Sequence, residues 1–151
     1  MARPLYETRQ HLTAERGLVA LVEQRCRVTS QKLPLSYRVD SALFRRGVLV
    51  ALAEFKCRTC TREQYEDYIV SAGKVLMARQ LSEMLSVPVM LIVQWTNAVG
   101  WIDIGKTSSR QCTWGGRTDR KDSQDSELLI HLPIIEFGLL SGERRSDDHA
   151  A

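Results

Sequence analysis

The chain has 151 residues, of which 44% are hydrophobic and 26% charged, with a net charge of +3. That is the size and balance of one globular domain able to bury a real core. No run approaches about 18 apolar residues, which excludes a transmembrane helix. The opening Met-Ala-Arg-Pro-Leu-Tyr-Glu lacks the apolar stretch of a secretory signal, so the expected compartment is the cytoplasm. The charge is unevenly spread: residues 1–79 carry 14 Lys/Arg against 8 Asp/Glu, and residues 80–151 carry 7 against 10. A basic N-terminal half suits a phosphate-binding surface, or a solvated basic face.

Residues 6–25 read as an amphipathic helix, with Leu12, Leu18, Val19 and Val22 on one stripe. Glu15 falls near the centre of that apolar face. An acid there either pairs with a neighbouring cation or is aimed at an internal site. Residues 26–36 form a polar connection with room for a short first strand, and Pro34 argues against a central position in a sheet. Arg25, Arg27 and Lys32 are candidate phosphate contacts by composition.

Residues 37–44 and 48–55 read as an antiparallel pair of strands joined by a turn at Arg45-Arg46-Gly47. Folding about that turn brings Asp40 towards Glu54. Side chains alternate along a strand, so Glu54 and Lys56 share a face, roughly 7 Å apart. Two carboxylates and a lysine at the end of an apolar strand are costly unless they pair or bind something. Oxygen ligands of this kind hold a hard divalent cation, and the ammonium can orient water or stabilise charge on a phosphate. A salt bridge at a strand end is the plainer alternative.

Cys57-Arg-Thr-Cys60 is a CxxC without two further ligands at zinc spacing, since Cys26 and Cys112 are isolated and His11, His131 and His149 show no pattern. Reduced structural thiols are expected. Residues 61–86 carry a long helical pattern, with Thr61 as N-cap and Gln64 completing a capping box. It is apolar on more than one side, so it needs a second cover beyond the sheet, either another helix or a dimer partner. Residues 87–95 are a buried strand, 97–100 a turn and 101–104 a short strand. Residues 105–126 read as a long loop in which Lys106, Arg110, Arg117, Arg120 and Lys121 surround Trp114. Trp114 would either stack on an exposed base or plug a small satellite core. A closing strand over 127–135, an end piece over 137–140 and a disordered tail over 141–151 complete the chain. A single domain over 1–140 is expected.

The spacing Asp40-(x)13-Glu54-Phe55-Lys56 resembles the active-site signature of the PD-(D/E)XK nuclease superfamily, although Arg38-Val39 stand where that family often has a proline. The resemblance spans roughly residues 10–95. It implies an α/β fold, a restriction-endonuclease-like mixed central sheet flanked by helices, in the order α-β-β-α-β-β plus a C-terminal strand. It further implies Mg²⁺, with Mn²⁺ as a substitute, held by Asp40, Glu54 and the Phe55 carbonyl. Glu15 would then correspond to the first-helix glutamate of archaeal Holliday-junction resolvases, and Lys56 would position the attacking water. Basic or amide residues on the following helix, here Lys74, Arg79 and Gln80, would face the site; solvated helix charges are the other reading. The implied activity is metal-dependent hydrolysis of DNA, structure-selective on branched DNA or directed to ends. No small-molecule cofactor is called for, and the partners would be DNA and a second copy of the chain. The small size suits a phage or mobile-element product. The alternative is a non-catalytic nucleic-acid-binding or assembly protein that retains the fold.

Overall fold

The computed structural model describes residues 9–107, 111–116 and 126–141. Helix α1 (Arg9–Cys26) buries Leu18 and Val22 and stops where Arg27 takes a left-handed φ of 54°. Strand β1 (Thr29–Lys32) leads to a 3-10 turn at Leu35–Tyr37, then β2 (Ser41–Arg45) and β3 (Val48–Cys57). The β2–β3 turn places both Arg46 (φ 52°) and Gly47 (φ 76°) in the left-handed region, the geometry that matches the twist of two paired strands. Beyond it lie β4 (Asp67–Ser71), α2 (Ala72–Leu85), β5 (Val89–Gln94) and β6 (Val99–Asp103). The last described elements are β7 (Cys112–Gly116), β8 (Ser126–Pro133) and β9 (Gly138–Ser141).

Six of these strands form a mixed sheet in the order β1-β2-β3-β5-β6-β9, with β3 and β5 parallel and the other pairs antiparallel. Parallel neighbours need a crossover, and β4 with α2 supplies it. Alternation along β3 divides its side chains between two cores. Ala51, Ala53 and Phe55 pack with Leu18 and Val22 of α1. Leu52 joins the core on the other face, with Val75 and Ala78 of α2 and with Tyr68, Ile130 and Leu132. Glu54 and Lys56 share parity with Leu52, so the strand presents both to the crossover side.

Three expectations change. The helix over 61–86 is in fact a 3-10 turn at Arg62–Gln64, then β4, and only then α2. Its N-cap is Ser71, whose Oγ accepts from Gly73 N at 3.2 Å, whereas Thr61 makes no side-chain cap bond. Tyr68, Ile69 and Val70 fit a helical stripe and a strand equally over so short a run. Pairing with β8 decides in favour of the strand, with Tyr68 buried and Ile69 exposed. The strand over 37–44 begins only at Ser41, because Leu35–Tyr37 is wound and Arg38 sits at φ 58°. The loop over 105–126 contains β7, and the expected closing strand, β8, lies between β4 and β7 in a second antiparallel sheet. β9 takes the edge of the main sheet beside β6. The expected tail lies, but for Ser141, outside the described residues.

Candidate active site

Asp40 is fixed by backbone and side chain together. Its N–H donates to Ala53 O at 3.1 Å, which extends the β2–β3 ladder one step beyond Ser41. Its Oδ2 accepts from Phe55 N at 2.8 Å. The carboxylate is thereby held beside Glu54, as the turn at Arg46-Gly47 implies.

Glu54 is 4% exposed, an unusual state for a carboxylate unless its charge is matched. Two ammoniums match it at the same oxygen. Lys56 Nζ lies 3.2 Å and Lys74 Nζ 3.0 Å from Oε1. The other oxygen, Oε2, is buried with no hydrogen-bond partner in the structure. A buried carboxylate oxygen left in that state is a ready ligand for a hard cation. Glu15, Lys32, Arg38, Asp40, Glu54 and Lys74 all line one cleft of about 370 Å³.

Burial and the neighbouring charges shift the titrating groups of the cleft. Burial, and then repulsion from Glu54, raise the Asp40 pKa above its ordinary 3.8, against the opposing Phe55 N–H and Lys56. Burial works against the Lys56 charge, but Glu54 and then Asp40 outweigh it and raise its pKa above 10.5. Lys56 is therefore an ammonium at neutral pH. An acid whose folded pKa is raised holds its proton more tightly in the folded chain. Its contribution to stability is thus present at low pH and is lost as pH rises through the raised value. A cation at Asp40 competes with that proton. Divalent-metal affinity, measured calorimetrically on the metal-free protein, should weaken on acidification at a higher pH than an ordinary aspartate would give. Asp40→Asn should remove that step, and affinity flat down to pH 4 in the wild type would contradict it.

The structure brings together Glu15, Asp40, Glu54, Phe55, Lys56, Lys32 and Lys74. Of the α2 residues expected to face the site, Lys74 does so: its ammonium reaches Glu54 and donates to Arg38 O at 2.8 Å, and it is also a candidate nucleic-acid contact. Arg25 and Arg27 are exposed at the C-terminal end of α1, about ten residues or roughly 15 Å along the helix from Glu15, and do not line the cleft. Arg79 donates to Thr107 O and Gln80 is exposed, so neither lines the cleft. Trp114 is 74% exposed beside Leu128, which removes the satellite-core reading. Arg117 lies outside the described residues. Among the described residues no cluster of three or more His, Cys, Asp or Glu forms a ready metal site, so Asp40 and Glu54 would need main-chain or solvent oxygens to complete a shell. The four cysteines are free thiols, and among the described residues no third His, Cys, Asp or Glu joins Cys57 and Cys60 in a metal-ready cluster. Sequence reasoning missed Arg58 and Tyr68, which meet just beyond Lys56: Arg58 Nη2 donates to Tyr68 OH at 2.7 Å. The parity of Arg58 with Glu54 and Lys56 was the available signal.

Comparison with known proteins bears on the family and the fold. The model of a family described as "Phage putative PDDEXK endonuclease" matches residues 1–140. Among solved structures, that of Hjc from Archaeoglobus fulgidus, a Holliday junction resolvase from an archaeal hyperthermophile, superposes with a TM-score of 0.50 at 10% identity. The match covers 82% of this chain and 95% of that one. At that identity the likeness concerns the fold, a restriction-endonuclease-like mixed sheet flanked by helices. No curated protein sequence matches the chain.

Proposed function

The chain belongs to the phage PDDEXK endonuclease family, and from that membership we propose a Mg²⁺-dependent endonuclease that cuts branched DNA through Asp40, Glu54 and Lys56. The buried Glu54 carries the reading: one oxygen is clamped by two lysines while the other lies buried without a partner beside Asp40. A carboxylate set of this kind, free of thiol and imidazole, fits Mg²⁺ or Mn²⁺ better than zinc. When bound, the cation would supply Lewis acidity, lowering the pKa of a water and neutralising charge on the scissile phosphate.

The chain's own residues divide the remaining work. Asp40 and Glu54 would hold the cation, with the Phe55 carbonyl as a third oxygen and Glu15 as an outer ligand from across the cleft. Phe55 N–H keeps Asp40 turned inward. Lys56, with its side chain 44% exposed, is the ammonium that can meet solvent and substrate. As a permanent cation it acts as a hydrogen-bond donor to the attacking water and to the phosphate, and it is no base. Lys74, 27% exposed and tied to the Arg38 carbonyl, holds Glu54 from behind.

Selection by DNA structure follows from size and fold. The chain devotes its described residues to one α/β framework, with no separate module for reading bases, and it shares a fold with a Holliday junction resolvase. A four-way junction presents two strands to cut, which suits a homodimer, and the exposed Leu76, Met84 and Leu85 of α2 would support that pairing. No helix among the described residues is long and apolar enough to cross a membrane. The test is a panel of labelled substrates with Mg²⁺ or Mn²⁺: a four-way junction, a flap, linear duplex, single-stranded DNA and RNA. The junction or flap should be cut about ten-fold or more faster than linear duplex, a difference of ~1.4 kcal/mol. Equal cutting of every DNA would remove the structure selectivity, and cutting of RNA alone would remove the substrate class.

A further inference from the structure

Just past the catalytic strand the surface holds a second cleft, of about 310 Å³, which the mechanism above does not use. Trp95, buried and edge-on to Phe137, contributes to its lining from the end of β5. Arg58, Tyr65 and Tyr68 line it together with Arg62. Its volume is at the small end for ligand sites and on the order of one nucleotide's needs.

Arg58 follows Lys56 by two residues, just past the end of β3 at Cys57, so their Cα atoms stand roughly 7 Å apart along the chain. The guanidinium stands over the Tyr68 ring at 4.8 Å and donates to the Tyr68 hydroxyl at 2.7 Å. Those contacts fix its plane, while a guanidinium has five N–H donors in all and is suited to a phosphate. Arg58, two residues beyond Lys56 in the chain, is the link between this cleft and the catalytic strand. Tyr65 is 61% exposed at the rim, its hydroxyl accepting from Gln64 Nε2 at 3.2 Å. An exposed aromatic ring beside a fixed guanidinium is the pairing that captures single-stranded nucleotides, by stacking on the base and holding the backbone. Asp67 also lines the cleft and would repel a phosphate, but its carboxylate is turned to His131 at 3.4 Å.

We propose that this cleft is a nucleotide subsite, in which Arg58 binds the phosphate next to the scissile one and Tyr65 stacks on an unpaired DNA base. The inference rests on the nuclease reading and adds to it the feature that is recognised, a nucleotide freed from its pair beside the cut. Duplex DNA keeps its bases stacked inside and gives Tyr65 nothing to cover.

The experiment compares full-length wild type, Tyr65→Ala, Tyr65→Phe and Arg58→Gln on two synthetic flaps, one with an unpaired nucleotide at the cut and one fully paired. Affinities are measured with Ca²⁺ in place of Mg²⁺ and cleavage with Mg²⁺. The wild type should prefer the unpaired flap, and Tyr65→Ala should lower that preference about ten-fold. Tyr65→Phe, which keeps the ring, should retain it. Arg58→Gln should reduce the slope of log affinity against log salt by about one contact. A wild type that cuts DNA while Tyr65→Ala keeps the full preference, or Arg58→Gln the full salt slope, overturns the subsite and spares the nuclease. A wild type that neither binds nor cuts any DNA overturns both.

Discussion

Asp40→Asn should abolish cleavage, by about 10³-fold or more, while leaving the chain folded. Asparagine is isosteric and its carbonyl oxygen can still accept from Phe55 N–H, the bond Asp40 Oδ2 makes at 2.8 Å. What it loses is the charge that, with Glu54, would hold a divalent cation. Asp40→Ala should lose the same activity and also stability. It leaves the N–H of Phe55, a residue 4% exposed, without its acceptor, at a cost of about 1–3 kcal/mol. Cleavage rates and thermal midpoints of the two variants separate chemistry from folding. Activity retained in a folded Asp40→Asn protein would overturn Asp40 as a ligand.

Lys56→Ala should cost about 10²–10³-fold in cleavage with little change in stability. Both lysines touch Glu54 Oε1, yet they are not equivalent. Lys74 also donates to Arg38 O and so is held between α2, β3 and the segment that carries Asp40. It cannot move to the phosphate without releasing that carbonyl. Lys56 has no such tie, and its removal leaves Glu54 with one counter-charge from Lys74. DNA affinity should fall only modestly, so a gel-shift assay beside the cleavage assay distinguishes the loss of chemistry from the loss of binding. A Lys56→Ala enzyme cutting at the wild-type rate would pass the role to Lys74.

The centre of the fold was legible because its signals are local. A turn read at Arg45-Arg46-Gly47 (Arg46-Gly47 in the structure), an apolar run into Glu54, and alternation along β3 are enough to place Asp40, Glu54 and Lys56 at one strand end. Glu15 was legible as an acid on an apolar helix face, and it does line the cleft. The second sheet was not legible. Tyr68-Ile69-Val70 carries two periods at once, and its choice of strand depends on β8, about sixty residues later. With β4 misread as helix, the approach of Tyr68 to Arg58 was hidden. The family resemblance offered Lys74, Arg79 and Gln80 alike as facing the site, and only Lys74 does; its tie to the carbonyl of the left-handed Arg38 is set by the crossover, which composition does not reveal. Composition could not say which basic residues stand at the cleft: Lys32 lines it, whereas Arg25 and Arg27 lie at and just past the C-terminal end of α1.

The proposed function places Glu54, buried between two lysines, in a divalent-metal nuclease centre. Cleavage of a labelled four-way junction, measured across a Mg²⁺ titration for wild type and Glu54→Gln, addresses it most directly. Cutting by the wild type should saturate with Mg²⁺ and vanish with chelator, and a folded Glu54→Gln protein should not cut at any Mg²⁺ concentration. Equal, metal-independent cutting by both proteins would contradict it.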